Sequence, residues 1–245
     1  MSADCKAAWD DLDAVARDAA TRLAESPRRM PSTEVERLLI HRYDVSRSQA
    51  RNVIRRLVTT EDLAYTYEFG CSFLEPSFRK PVRVGERVVL VPADLPYRTA
   101  EQEVAVRLAT GASFGCGRHP TTRLAIRGVE RALGSLFSAR RLEQSAVLDI
   151  GTGSGVLVIA AVKLGVEQGL GVDTDPCARF EASQNVAHNR LADRIQISDQ
   201  PIETIKPTGR FYLVTANLRA PTLRNAVSLI CRLAAPGGWL VLSGI

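Results

Sequence analysis

The chain has 245 residues, 45% hydrophobic and 24% charged, with 17 glycines and 12 prolines, which excludes a disordered tail, a collagen-like repeat and a disulfide-stapled miniprotein. Its 32 Lys+Arg against 27 Asp+Glu leave a net charge of +5, a mild excess that identifies no partner by itself. Five cysteines stand at 5, 71, 116, 177 and 231 without a Cys-x-x-Cys pair, so neither a disulfide framework nor a metal site is expected.

Taken in chain order, the Met1–Lys6 start has no basic segment followed by an apolar stretch, so a secretory leader is not expected. Trp9, Leu12, Val15, Ala16, Ala19 and Leu23 then recur at helical spacing until Ser26-Pro27. Thr33 with Glu36 reads as a capping box ahead of the Val35, Leu38, Leu39 stripe, and Ser46 with Gln49 repeats the signal. Ala50, Val53, Ile54 and Leu57 mark the buried face of a third helix. Leu63, Tyr65, Tyr67 and Phe69 alternate with polar or small residues as a strand does, and Val82–Val91 with Gly85 as a turn completes a hairpin. Three helices followed by a hairpin predict a winged-helix-like N-terminal domain over residues 1–100. Residues 26–60 carry a local net of +5, with eight arginines against Glu34, Glu36 and Asp44. Arg47, Arg51 and Arg55 share one helical stripe, which suits nucleic acid, a docked protein or plain solvent.

Residues 101–245 read as alternating strand and helix, the pattern of a doubly wound, mostly parallel Rossmann-like sheet. Strands are expected at Ala146–Ile150, Gly169–Asp173, Arg194–Ser198, Phe211–Ala216 and Trp239–Ser243. Helices are expected at Val156–Leu164, from Asp175-Pro176 onward, near 179–189 and near 221–234. The Val156–Val162 run is among the longest apolar stretches and falls far short of the ~20 residues of a membrane span. A soluble cytoplasmic protein with no membrane partner is the expectation.

Between the first strand and helix lies Gly151-Thr152-Gly153-Ser154-Gly155. Glycines there let the backbone turn tightly and approach a ligand at a helix N-terminus. Asp173 follows Gly151 by 22 positions, at the end of the second strand, where a carboxylate can take both hydroxyls of a ribose. The Gly-x-Gly-x-Gly spacing favours S-adenosylmethionine over a dinucleotide, whose fingerprint is Gly-x-Gly-x-x-Gly.

Ser113-Phe114-Gly115-Cys116-Gly117-Arg118-His119-Pro120-Thr121-Thr122, Leu148–Gly155, Gly171–Pro176, Ala216-Asn217-Leu218, Pro236-Gly237-Gly238 and Leu242–Ile245 occur in that order. Together they resemble the PrmA-type ribosomal protein methyltransferases, a class I family that moves a methyl group from S-adenosylmethionine to amino groups. The resemblance covers roughly 105–245 and implies that Thr122, Gly151, Gly153, Gly155, Asp173 and Asn217 line the cofactor. Asp199 would meet the adenine amine, and Phe114 would close the site against water. Cys116 replaces the family's usual threonine and reads as a loop filler or a reactive thiol. The N-terminal domain does not look like the family's small α/β substrate-binding module. The family fold also continues past the fifth strand, so the catalytic domain is expected to be C-terminally incomplete, with an unpaired edge at Trp239–Ser243.

A methyl acceptor must present a neutral lone pair, held near contact distance. Asn217 offers a side-chain carbonyl to an amine, and its other reading is a loop cap. His119 can exchange a proton, or can simply cap the helix that follows Pro120. The leading reading is an N-methyltransferase acting on a protein or a smaller amine. The alternatives are a nucleic-acid methyltransferase using the N-terminal domain for delivery, and a non-catalytic regulator that senses S-adenosylmethionine while binding DNA.

Overall fold

The fold is a computed structural model describing residues 12–26, 28–68, 70–109, 119–136, 145–206 and 211–244. It divides into two compact units, one ending at Val82 and the other starting at Arg83.

The first unit runs α1 (Leu12–Glu25), β1 (Met30–Pro31), α2 (Ser32–Tyr43), α3 (Arg47–Thr59), β2 (Leu63–Glu68) and β3 (Cys71–Pro76). Val15, Val35, Leu39, Ala50, Leu57, Leu63 and Leu74 form its core, so the helical stripes read from the sequence do face inward. Ser46 and Gln49 make the expected capping box of α3, both bonds being present. The box expected from Thr33 and Glu36 does not form. Helix α2 begins two residues earlier, after Pro31, and Glu36 accepts from Arg47 (2.5 Å) and Arg51 (3.1 Å) instead. Arg55 donates to Asn52 (3.0 Å), so the arginine stripe is largely engaged by its own helices.

The hairpin is also different from the expected one. β2 pairs antiparallel with β3, and the sheet order is β1-β3-β2. Leu63 is buried while Tyr65 and Tyr67 are exposed, so only the start of that alternation points to the core.

The second unit takes in Val88–Val91, which moves the boundary ahead of the expected residue 100. The cause is visible in the residues. Val88, Val89, Leu90 and Val91 are all buried, as in a strand covered on both faces and unlike an exposed wing. β4 (Val82–Arg83), β5 (Val88–Pro92) and β6 (Val104–Leu108) form a small sheet in which β5 and β6 run parallel.

Helix α4 (Pro120–Leu136) holds the turn before β5 through Glu130. Its carboxylate accepts from the backbone N–H groups of Glu86, Arg87 and Val88, each at 2.8 Å. Glu130→Ala is therefore expected to lower unfolding free energy by roughly 1–3 kcal/mol, since several backbone donors lose their acceptor at once. Urea titration of parent and variant measures this, and a midpoint unchanged from the parent would refute it.

The main sheet contains β7 (Ala146–Ile150), β8 (Gln168–Val172), β9 (Ile195–Ser198), β10 (Phe211–Asn217) and β11 (Ala234–Ser243). Its order is β11-β10-β7-β8-β9, with every pairing parallel. The connections are α5 (Val156–Lys163), α6 (Pro176–His188), a 3₁₀ turn at Ile202–Thr204 and α7 (Ala220–Leu233). The chain order of strands reverses between β7 and β10, the switch point where such sheets open a ligand crevice at the strands' C-terminal ends. All of Val156–Val162 is buried, because α5 has the main sheet on one side and β6 on the other. This explains an apolar run with no amphipathic rhythm. β11 begins earlier than the expected Trp239, at Ala234, and a register shift on β10 between Phe211 and Leu213 absorbs the Pro236-Gly237-Gly238 step.

Candidate active site

The site grows from the end of β7. Gly151, Gly153 and Gly155 have φ of 68°, 54° and 79°, a left-handed backbone at every second residue. Other residues adopt that region only under strain, which accounts for the alternating glycines. Several of the loop's amides are already used inside the protein. Gly151 and Thr152 N–H donate to the Val172 carbonyl (2.9 and 3.0 Å), Gly155 N–H to the Thr152 carbonyl (2.8 Å), and Gly153 N–H to Asp173 (2.9 Å). A pyrophosphate needs such donors unpaired at the helix N-terminus. This loop suits a nucleoside without phosphates.

Asp173 stands past the end of β8, as expected. Its Oδ2 takes the Gly153 N–H and its Oδ1 takes the Asp175 N–H (3.0 Å). Each oxygen keeps a lone pair for a hydroxyl. Asp175 in turn caps α6 by accepting from Cys177 N–H (2.9 Å), and Arg179 donates to the Asp173 carbonyl (3.0 Å), so the turn carrying the carboxylate is fixed from both sides.

Asn217 closes β10. Its amide nitrogen donates to the Thr122 hydroxyl (3.3 Å) on the first turn of α4, and its Oδ1 is buried with no hydrogen-bond partner among the described residues. An acceptor left in this way costs free energy unless a ligand supplies a donor. His119 precedes α4, and its Nδ1 accepts from Thr121 N–H (3.3 Å) and lies 2.6 Å from the Thr121 hydroxyl. The ring thus secures the start of that helix.

A cleft of about 830 Å³ joins these parts, with His119, Gly151, Gly153, Asp173 and Asn217 among its lining residues. That is ample for a nucleoside with an acceptor beside it. Thr122 sits fully buried behind Asn217. Gly155 is turned to α6, where an added Cβ would lie 3.3 Å from that of Ala182. Asp199 does not line the cleft; its neighbours Gln200, Pro201 and Ile202 do. Phe114 and Cys116 lie outside the described residues.

The sequence reading passed over Asp149. It is buried under the loop, accepting from the hydroxyls of Thr152 (2.7 Å) and Thr215 (2.6 Å). The signal was present: an acidic residue inside an apolar strand, two residues before the glycines. Burial, aided by the charge of Asp173, pushes its carboxyl up to about 6 against the lowering effect of the two hydroxyls and the Val158 N–H. A carboxyl raised on folding binds its proton more tightly in the native state, so its contribution to stability falls as pH rises from the unfolded value towards about 6 and levels off above it. Relative to Asp149→Asn, the parent is expected to lose about 1 kcal/mol between pH 5 and pH 7. Urea titrations of both at each pH measure this, and a pH-independent difference would contradict it.

Residues 76–245 match the family described as ribosomal protein L11 methyltransferase (PrmA). Ribosomal protein L11 methyltransferases of Geobacter sp. strain M21 and Trichlorobacter lovleyi are 41% and 42% identical over 166 and 167 residues, covering 68% of this chain and 53% of each relative. The chain thus spans about half the length of these curated relatives. The crystal structure of a ribosomal protein L11 methylase from Lactobacillus delbrueckii subsp. bulgaricus superposes with a TM-score of 0.58 at 30% identity, covering 68% of this chain and 80% of that one. The first unit up to Glu75 falls outside the family match. The matched stretch holds the glycine loop, Asp173 and Asn217 together, and on it the chain belongs to the PrmA family of S-adenosylmethionine-dependent methyltransferases.

Proposed function

We propose that this protein is an S-adenosylmethionine-dependent N-methyltransferase whose acceptor is an amino group of a protein, acting in the cytoplasm. The observation that carries the reading is the buried Asn217 Oδ1, an acceptor lacking a donor among the described residues, on the strand beside the glycine loop. The internally paired loop amides support a cofactor without phosphates, and the fixed Asp173 carboxylate supports one with a ribose.

S-adenosylmethionine, when bound, supplies a methyl group on a sulfonium, so transfer is an in-line displacement. Asp173 would accept from the ribose hydroxyls, and Gly151 and Gly153 would let the nucleoside lie against the backbone. Asn217 Oδ1 would accept one N–H of an amine that arrives neutral, turning its lone pair towards the methyl carbon. In the neutral ring an Nδ1 that accepts from Thr121 leaves the proton on Nε2, so His119 anchors α4 in this scheme and removes no proton.

The order α1-β1-α2-α3-β2-β3 supports a winged-helix-like first unit, and we assign it substrate docking. Pairing of Arg47 and Arg51 with Glu36 favours a protein over a nucleic acid on that unit. Ribosomal protein L11, the substrate named for the relatives, is the first acceptor to test. The pure chain should transfer labelled methyl to L11 or to one discrete protein band of a bacterial lysate. Label confined to RNA would overturn the acceptor assignment.

A further inference from the structure

Two asparagines stand one turn apart, Asn185 within helix α6 and Asn189 at its C-cap, and neither is on the solvent side. Asn185 is only 2% exposed and works at both ends of its amide. Its Nδ2 donates to the Ser154 carbonyl (2.9 Å) in the glycine loop, while its Oδ1 accepts from Ala109 N–H (2.8 Å), just past β6. Asn189 is tied only to the outer side. Its Oδ1 accepts from Arg107 N–H (2.9 Å), and its Nδ2 donates to the Arg107 carbonyl (2.7 Å) and to the Asn185 carbonyl (2.7 Å). Asn189 therefore behaves as a neighbouring strand would, pairing both backbone groups of one residue of β6. Asn185 does something else. The Ser154 carbonyl sits between two left-handed glycines, and Ala182, one turn before Asn185, meets the second of them, Gly155.

We infer that Asn185 is a positioning residue for cofactor binding, holding the Ser154 peptide, and with it the curvature of the glycine loop, against the end of β6. The proposal rests on the reading of that loop as the cofactor's seat. It follows from hydrogen-bond inventory: a side-chain amide that both donates and accepts fixes two backbones at once, which no apolar residue of similar volume can do. Loss of the Nδ2 donor leaves the Ser154–Gly155 peptide held through the Gly155 N–H bond to the Thr152 carbonyl without its second restraint, and the glycines on either side offer little steric resistance to its tilting.

Asn189 supplies the control, being buried at the C-cap of the same helix but bonded away from the loop. Calorimetric titration with S-adenosylhomocysteine, paired with thermal melts, tests the assignment on the full chain. Asn185→Ala and the isosteric Asn185→Asp, which keeps the acceptor for Ala109 but removes the donor to Ser154, are both expected to raise Kd about tenfold or more. Asn189→Ala is expected to lower the melting temperature while keeping Kd within about twofold of the parent. Parental Kd in the Asn185 variants overturns the proposal, as does an Asn189→Ala variant that loses as much affinity as Asn185→Ala. Failure of both Asn185 variants to fold while Asn189→Ala folds would assign Asn185 to the fold alone and overturn it too. A parent chain that does not bind S-adenosylhomocysteine would refute the cofactor reading itself, an outcome the parent titration reads separately.

Discussion

Replacing Asn217 by alanine is expected to lower turnover on the protein acceptor by roughly 10²-fold or more, the range reached when a positioning contact beside the reacting atoms is lost. Cofactor affinity should change little, because Gly151 and Gly153 in the loop after β7 and Asp173 after β8 keep their own bonds. The argument is one of placement. Thr122 takes the amide nitrogen of Asn217, which leaves the carbonyl oxygen as the group an amine can use. Asn217→Asp is the more discriminating variant, since it keeps an oxygen there while exchanging the donor to Thr122 for charge. A turnover loss in Asn217→Ala with parental Kd for S-adenosylhomocysteine supports the orienting role. Parental turnover would make the residue a cap for the β10 end.

Asp173→Ala should have the opposite signature, a loss of binding. Removal of a carboxylate that receives hydroxyl donors is expected to weaken S-adenosylhomocysteine binding by roughly 1–3 kcal/mol, about five- to 150-fold in Kd. The upper part of that range is favoured because the same carboxylate holds the Gly153 and Asp175 amides, so the loop loses an anchor along with the ligand. Asp173→Asn separates the effects: one oxygen still accepts from the backbone while the charge is gone. Calorimetry giving equal affinity for Asp173→Ala and the parent would refute the ribose role.

The catalytic sheet was legible because each strand-to-helix step carries its own chemistry. Gly165 after the apolar α5 and Asp175-Pro176 before α6 mark boundaries that the structure reproduces within a residue or two. The site residues that line the cleft were those carried by motif context at strand ends. Asp199 is expected in the site from its place after a strand, whereas the residues of that turn that line the cleft are Gln200, Pro201 and Ile202. Val88–Val91 was assigned to the wrong unit. A short apolar run has no period to say which sheet covers it, and β6 lies more than a dozen residues further on. Glu36 shows the limit of local signals: its spacing from Thr33 fits a cap, but two arginines from the next helix compete for the same carboxylate and win. Asn185, Asn189 and Asp149 are not legible as a set, because beside the local bonds of Asp149 to Thr152 and of Asn189 to Asn185 each has a partner 31 to 82 residues away in the chain. Buried polar side chains in a helix or strand were nevertheless a readable sign that such partners exist.

The measurement that bears most directly on the whole account is chemical identification of the methylated atom. The pure chain is incubated with methyl-labelled S-adenosylmethionine and an acceptor mixture of ribosomal proteins, including L11, with RNA present. The labelled product is then hydrolysed and its methylated species identified, with Asn217→Ala run in parallel. The account predicts N-methylated amino groups in protein hydrolysate from the parent and little label from the variant. Label in nucleosides, or no transfer from a parent chain that binds S-adenosylhomocysteine, would contradict it.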